Sequence, residues 1–302
     1  MRKVLKTIVP EPQRKKLKAM EANWNNSVKN FGTNLVNAVL PDKMRVDLKS
    51  AIQVLRKLDY PKHEIFLNVD SDIEFSTRLN SCKKEPEMIH WIETFLKEGD
   101  VFYDVGANVG AYSLVASKYF NGNIKVYAFE PSFPNFVQLS KNIFTNHCQD
   151  SIIPMQIALS DATALGTFNY SNLIPGGALH AFGQPIDYKG DRFQPVYQQT
   201  IFSYRMDDLI DRFQMDSPHH MKMDVDGFEF KILKGAQKIL SNPRMKSIII
   251  ELDEGDAEAN EISTFLKNYG FRFLSKHKYT ATDDTGPFSK MYNYIFEKTK
   301  NQ

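Results

Sequence analysis

From residue 85 onward, short apolar runs alternate with stretches of helical periodicity, and this alternation constrains the fold more than any other feature of the chain. Met88, Trp91, Ile92, Phe95 and Leu96 make one helical stripe, which Gly99 can end. Strands are expected over 101–105, 125–129, 152–157, 221–225, 247–252, 271–274 and 292–296. Helices are expected over 110–119, 132–146, 228–240 and 258–269, with Ser132 as a cap, Pro134 in the first turn behind it, and Gly270 as a stop. Strands separated by helices of roughly 10–15 residues must run mostly parallel, with the crossovers covering both faces. The expected architecture is therefore α/β, a seven-stranded Rossmann-like sheet with helices on both faces. One stretch breaks the rhythm. Residues 162–218 are rich in Gly, Pro, Tyr and Phe and lack helix periodicity, so they are expected to form an acceptor-side insertion at the C-terminal edge of the sheet.

The first strand runs straight into Asp104-Val105-Gly106-Ala107-Asn108-Val109-Gly110 and then into a helix. Glycines at such a bend allow a tight turn and a close approach of a ligand to the backbone. In an open α/β sheet this bend borders the ligand crevice. Twenty residues after Gly110, Glu130 ends the second strand ahead of Pro131, where a carboxylate can accept hydrogen bonds from both hydroxyls of a ribose. That acid serves nicotinamide and S-adenosylmethionine sites alike. The glycine spacing discriminates between them. A dinucleotide fingerprint is G-x-G-x-x-G, with the second glycine admitting a pyrophosphate. Read from Gly106, this chain places Asn108 and Ala111 at the second and third glycine positions. A nicotinamide-linked oxidoreductase or epimerase is disfavoured on that ground, and a non-catalytic binding module that kept the fold is the other alternative.

Five ordered segments extend the case. Residues 101–110 resemble the first motif of the FkbM family of S-adenosylmethionine-dependent methyltransferases. Ala128-Phe129-Glu130-Pro131, Ala158-Leu159-Ser160-Asp161 and Lys222-Met223-Asp224-Val225-Asp226-Gly227-Phe228-Glu229 resemble its next three, and Ile249-Ile250-Glu251 resembles its fifth-strand ending. The resemblance covers roughly residues 85–298. It implies the cofactor S-adenosyl-L-methionine and O-methylation of a hydroxyl on a sugar, glycan or other small-molecule acceptor. It also implies cofactor contacts from Asp104, Gly106, Ala107, Asn108 and Gly110, from Glu130 and Pro131 at the ribose, and from Ser160 and Asp161 at the adenine edge. Two positions depart from the family pattern: Asp226 stands where Glu is usual, and Phe228 where a small residue is usual.

Methyl transfer needs the acceptor oxygen placed in line with the carbon–sulfur bond, water excluded, and the hydroxyl proton removed. Asp224, at the end of the fourth strand, is the first candidate for that last task. Asp226 shares its loop, and His180 in the insertion is a further candidate base. Lys222 is expected to face a structural carboxylate. A hard cation could be held by Asp224 with Glu251 or Asp253, but the sequence offers few neutral ligands there, the family it resembles does not require a metal signature, and a metal-free route is expected. His219 and His220 are adjacent in a strand, point to opposite faces and are not expected to share a metal.

Charge is divided unevenly. Residues 1–60 hold 13 Lys and Arg against 5 Asp and Glu, whereas the remainder is acidic, within a total net charge of only +2. So small a net charge argues against nucleic acid as a partner. A largely helical basic arm is expected over 1–80, ahead of a catalytic domain over 81–302. Leu48, Ala51, Ile52, Leu55 and Leu58 fall on one helix face, and Arg14-Lys15-Lys16-Leu17-Lys18 on a polar stretch, so peripheral contact of residues 1–60 with an anionic membrane is a further expectation. Two cysteines, Cys82 and Cys148, offer neither a disulfide framework nor metal spacing. With no leader pattern in the first residues and no long apolar run, the expected location is the cytoplasm.

Overall fold

The computed structural model describes residues 27, 30–255, 257–278 and 289–299. The chain divides into two compact units, residues 1–53 and 54–302. In the first, residues 30–39 and Asp42–Ala51 are helical, and the latter helix buries none of its side chains. The basic cluster at 14–18 lies outside the described residues. The boundary expected near residue 80 falls at 53/54, because the chain changes structure there. The helical face projected through Leu55 and Leu58 stops at Ala51. Ile52 is already extended, and Leu55–Lys57 (β1) pairs antiparallel with Phe66–Asn68 (β2). Leu58, Tyr60, Ile65 and Leu67 are then buried with Trp91 in one cluster of the second unit. Long-range pairing and burial override the local helical spacing.

The main sheet follows the expected order closely. Its strands are Val101–Val105 (β3), Lys125–Phe129 (β4) and Ile152–Met155 (β5) in the first half. Ala158–Leu159 (β6), Ala164–Tyr170 (β7), Ala181–Phe182 (β8) and Tyr197–Tyr204 (β9) form a separate four-stranded sheet. His220–Met223 (β10), Ser247–Asp253 (β11), Phe271–Lys278 (β12) and Met291–Lys298 (β13) complete the main one. The seven strands lie in the order β12-β13-β11-β10-β3-β4-β5, parallel except for β13, which is antiparallel to both of its neighbours.

Period-two alternation sorts the strands' side chains into two cores. Phe102, Val126, Ala128, Ile249 and Ile295 face a cluster built with the helices Pro86–Phe95, Ala111–Tyr119 and Phe133–Thr145. Their neighbours Tyr103, Val105, Tyr127, Phe129, Met221, Ile248, Ile250 and Phe296 face the other, built with Met206–Phe213, the segment 229–241 and Glu258–Asn268. Both faces of the sheet are thus covered by helices.

Three local expectations are corrected. The 162–218 segment is not irregular: it holds β7, β8 and β9 and the helix Met206–Phe213. Its pairing was hidden because β7 and β9 are separated by 26 residues of intervening chain, too far for a hairpin signal. The helix expected over 228–240 is two, Glu229–Lys234 and Gln237–Ser241, broken where Gly235 backs onto Ser160: a Cβ there would stand 2.2 Å from the Ser160 carbonyl oxygen. Ser132 does sit at the N-cap of Phe133–Thr145, but its hydroxyl makes no cap bond. Its backbone N–H instead donates to Glu130 at 2.9 Å.

Among the described residues, no helix is long and apolar enough to cross a membrane.

The strand order reverses direction of travel between β10 and β3, which opens the crevice at their C-terminal ends. Gly106 crosses this point at φ +78°, and a Cβ on it would lie 1.9 Å from the Asp224 carbonyl oxygen. The first glycine of the loop therefore serves packing of loop on loop as much as ligand approach. Gly106→Ala should lower stability by about 3 kcal/mol or more, combining strain at positive φ with a backbone clash. Gly122→Ala, at φ +79° with open space around it, should cost only the strain, about 1 kcal/mol. Chemical denaturation of the two variants measures the difference, and equal losses would remove the clash from the account.

Candidate active site

A cavity of about 380 Å³ lies at the crevice, lined by Gly106, Asn108, Glu130, Pro131, His180, Asp224, Asp226 and Glu251 among others. Seven of the residues expected at the site from sequence therefore meet at one place: the first seven just named. Asp104, Ala107, Gly110, Ser160 and Asp161 do not line the cavity.

Asp104 lies beneath it, fully buried. Its Oδ2 accepts from the Ser113 hydroxyl at 2.6 Å, and its Oδ1 lies 3.3 Å from the Lys222 ammonium. Lys222 is itself buried and donates to the Gly106 carbonyl at 2.7 Å. Burial alone would lower the lysine's proton affinity, but the charges of Asp104, Asp224 and Glu85 hold it above its ordinary value. This lysine faces a structural carboxylate, as expected. Gly110 caps the helix Ala111–Tyr119 at φ +87° against Leu139. Ser160 bonds its neighbour Asp161 at 3.0 Å, away from the cavity. The space beside the strand ends is instead an apolar slot of about 50 Å³ lined by Phe129, Pro131, Ala158, Leu159, Val225 and Phe228, with Phe182 at its wall.

Glu130 is held firmly. Its Oε2 accepts the Asn108 N–H at 2.8 Å and its Oε1 the Ser132 N–H at 2.9 Å. Burial raises its proton affinity, these bonds and Asn135 oppose it, and the pKa stands at about 7. With Asn135 as a third donor, one of the carboxylate's four acceptor sites is left for a ligand. Asn108, at φ +50°, donates its amide to the Gly177 carbonyl at 2.8 Å, and its Oδ1 is buried without a partner among the described residues.

The acidic loop after β10 forms the opposite wall. Register places Met223 beside Ile250, so Asp224 and Glu251 follow side by side on neighbouring strands. Burial pushes the Asp224 carboxyl up, yet Lys222, Lys84 and Arg78, with a hydrogen bond to Glu251, hold it below its usual range. Glu251 is driven well above its usual range by burial and by the charges of Asp224 and Glu85. Asp226, raised to about 6 by burial and Asp224, accepts the Leu179 N–H at 2.7 Å. Glu229, raised to about 8, ties the loop by accepting from Val225 and Gly227, both at 3.1 Å. His180 accepts the Ser171 N–H at Nδ1, 3.3 Å, and packs on Phe168 and Tyr170. Burial drops its pKa to about 4, so the ring is neutral near pH 7 and its Nε2 carries the proton. It is placed to donate rather than to take a proton.

Sequence reasoning missed one wall altogether. Ile73, Thr77 and Arg78 reach the cavity from the segment expected to belong to the arm, Lys84 from just beyond it, and Asn135, Phe168 and Asn172 from elsewhere. No motif marks them.

A family model described as "Methyltransferase FkbM domain" matches residues 104–273. A hexuronic acid methyltransferase of Haloferax volcanii is 26% identical over 183 residues, covering 61% of this chain and 68% of that protein. The 31-O-demethyl-FK506 methyltransferase of Streptomyces tacrolimicus is 23% identical over 205 residues, covering 62% and 77%. Among solved structures, precorrin-6y C5,15-methyltransferase of Geobacter metallireducens overlays with a TM-score of 0.41 at 12% identity, covering 71% of this chain and 87% of that one.

The raised carboxyls carry a pH dependence with a definite sign. A group whose pKa rises on folding stabilises the native state below its unfolded value and loses that contribution as pH climbs through the folded value. Glu229, taken from 4.5 to about 8, acts over that window, and Asp226 and Glu130 act in its lower part. The melting temperature should therefore fall between pH 5 and pH 8. Glu229→Gln should flatten the fall, as thermal melts across the window will show, and an unchanged slope would clear Glu229.

Proposed function

We propose, from the premise that this chain belongs to the FkbM family of methyltransferases, that it moves a methyl group from S-adenosyl-L-methionine to a hydroxyl oxygen of a sugar or related small acceptor. The observation that carries this reading is the placement of Glu130 and Asp224 on two walls of one cavity, with the glycine loop between them. The residues fit that cofactor. Glu130 keeps an acceptor site toward a ribose, the unpartnered Asn108 Oδ1 can accept from a donor in the cavity, and the apolar slot beside Phe129 and Leu159 has the character of an adenine site. A pyrophosphate fits poorly: the Asn108 side chain, bonded to Gly177, occupies the approach that a second glycine would leave open. The name of the Haloferax relative supports a sugar acceptor.

When bound, the cofactor supplies an electrophilic methyl carbon. The chain's residues do the rest. Glu130 and Asn108 fix the donor in position, which replaces a bimolecular encounter by an oriented one. Asp224 is ionised and opens onto the cavity, and it takes the acceptor's hydroxyl proton as the oxygen attacks. Glu251 beside it, already carrying a proton, keeps Asp224 oriented and neutralises part of the local charge. The two carboxyls act as a coupled pair rather than as independent acids. His180 offers an Nε2 hydrogen to an acceptor oxygen.

Two variants test the assignment. Asp224→Asn keeps the shape and removes the charge. It should bind S-adenosylmethionine within a few-fold of the parent but lose about a hundredfold or more in methyl transfer. Full activity would take Asp224 out of the mechanism. Glu130→Ala should weaken cofactor binding by roughly ten- to a hundredfold, the worth of charge-assisted bonds of about 1.5–3 kcal/mol. Calorimetry on the folded variant reads this directly, and an unchanged affinity defeats the ribose role.

A further inference from the structure

Arg78 stands out among the cavity's residues because it is a half-buried cation with no acidic partner. Its Nε and Nη2 both donate to the Gly176 carbonyl, at 2.9 and 2.7 Å. A guanidinium has five N–H donors. The remaining three, two on Nη1 and one on Nη2, have no protein partner among the described residues. No carboxylate of those residues lies within ion-pair distance of Arg78, although Lys84 nearby pairs with Glu85 at 2.9 Å. Gly176 in turn is fixed, its N–H donating to Asn135 at 2.9 Å, and the preceding Pro175 carbonyl accepts from Ser71 at 2.7 Å. The guanidinium is thus clamped at one edge, with the other edge free and the group on the cavity wall. A guanidinium held this way is arranged for a planar anion, since its fixed fork matches a carboxylate. Withdrawing a cation from water without a counter-charge is costly, and a ligand carboxylate would supply that charge.

We propose that Arg78 seats a carboxylate of a bound small molecule in this cavity, with the Lys84 ammonium and the Thr77 hydroxyl on the same wall. The inference rests on the methyl-transfer reading of the site. Two molecules of that reaction can bring such a group: the amino-acid end of the cofactor, or an acidic acceptor such as a uronic acid. Arg78 also lowers the proton affinity of Asp224 and Asp226 across the cavity. A ligand held at Arg78 therefore presents its other end to the acidic loop.

The test uses the full chain and three probes. S-adenosylhomocysteine and its decarboxylated analogue report on the cofactor, and glucuronate against glucose, added to the S-adenosylhomocysteine complex, reports on the acceptor. Calorimetry or ligand-observed NMR gives the affinities for the parent, Arg78→Gln and Arg78→Lys. If the cofactor brings the carboxylate, the parent binds S-adenosylhomocysteine at least tenfold tighter than the analogue, and Arg78→Gln erases that preference. If the acceptor brings it, Arg78→Gln leaves S-adenosylhomocysteine unaffected and erases a preference for glucuronate over glucose. In either case Arg78→Lys keeps part of the preference, because it keeps the charge. A purely structural role predicts that Lys fails like Gln, with both variants destabilised in thermal melts, and that result overturns the proposal. So does a folded Arg78→Gln with every affinity within twofold of the parent. A parent that binds neither S-adenosylhomocysteine nor its analogue defeats the functional reading itself, and this inference with it, a result distinct from an affinity that ignores Arg78.

Discussion

The architecture of the site depends on one buried ammonium. Lys222 sits on β10 with almost no exposure, and it reaches across to β3 and the turn that follows. It contacts the Asp104 carboxylate at 3.3 Å, the Gly106 carbonyl at 2.7 Å and the Asp224 carboxylate at 3.8 Å. An ammonium taken out of water needs such compensation, and removing one partner of a buried pair typically costs about 3–5 kcal/mol. The contacts also fix geometry. They tie the loop after β3 to the loop after β10, the two loops that form facing parts of the cavity. Gly106 then has to pass against the Asp224 carbonyl, and only a residue without a Cβ can do so. The glycine and the lysine are two halves of one constraint.

The main sheet was legible because its signal is local and repeated. Strands buried on both faces carry near-continuous apolar runs: Val101–Val105 breaks its run only at Asp104, and Ser247–Asp253 keeps Ile248, Ile249 and Ile250 together. The crossover helices carry their own stripes and stops. One side of the cavity was legible for a related reason: Gly106, Asn108 and Glu130 follow strand ends in a fixed order along the chain, so spacing brings them together.

The rest was hidden by contacts that sequence spacing does not encode. β1 and β2 become strands because each pairs with the other and β2 packs on the helix Phe133–Thr145, where Asn142 and the C-cap residue Asn146 accept the Asn68 and Phe66 N–H groups at 2.7 and 2.9 Å. Nothing within 55–68 announces that. Arg78 reaches the cavity only because this segment folds onto the domain. Ser160 and Asp161 follow a strand end, as a motif would have them. Yet Ser160 N–H pairs with Tyr204 and its carbonyl faces Gly235, which turns the pair away from the cavity. A motif can mark where the chain passes without marking which way a side chain points.

The acids of the cavity carry a last consequence. Glu130, Asp226 and Glu251 all have raised proton affinity because burial disfavours charge, and Asp226 and Glu251 also feel the charge of Asp224. Lys222, Lys84 and Arg78 offset this enough to keep Asp224 ionised, but not enough to ionise the whole group. Protons held by the remaining carboxyls make up the balance. On the proposed reading, a sulfonium cofactor would bring its own positive charge into that balance, and a cation among partly protonated acids lowers their proton affinity. Cofactor binding and proton release would then be coupled by the same electrostatics. The coupling would run in a useful direction: the cation carrying the methyl group would also help to keep ionised the Asp224 carboxylate, the group proposed to receive a proton when the methyl departs.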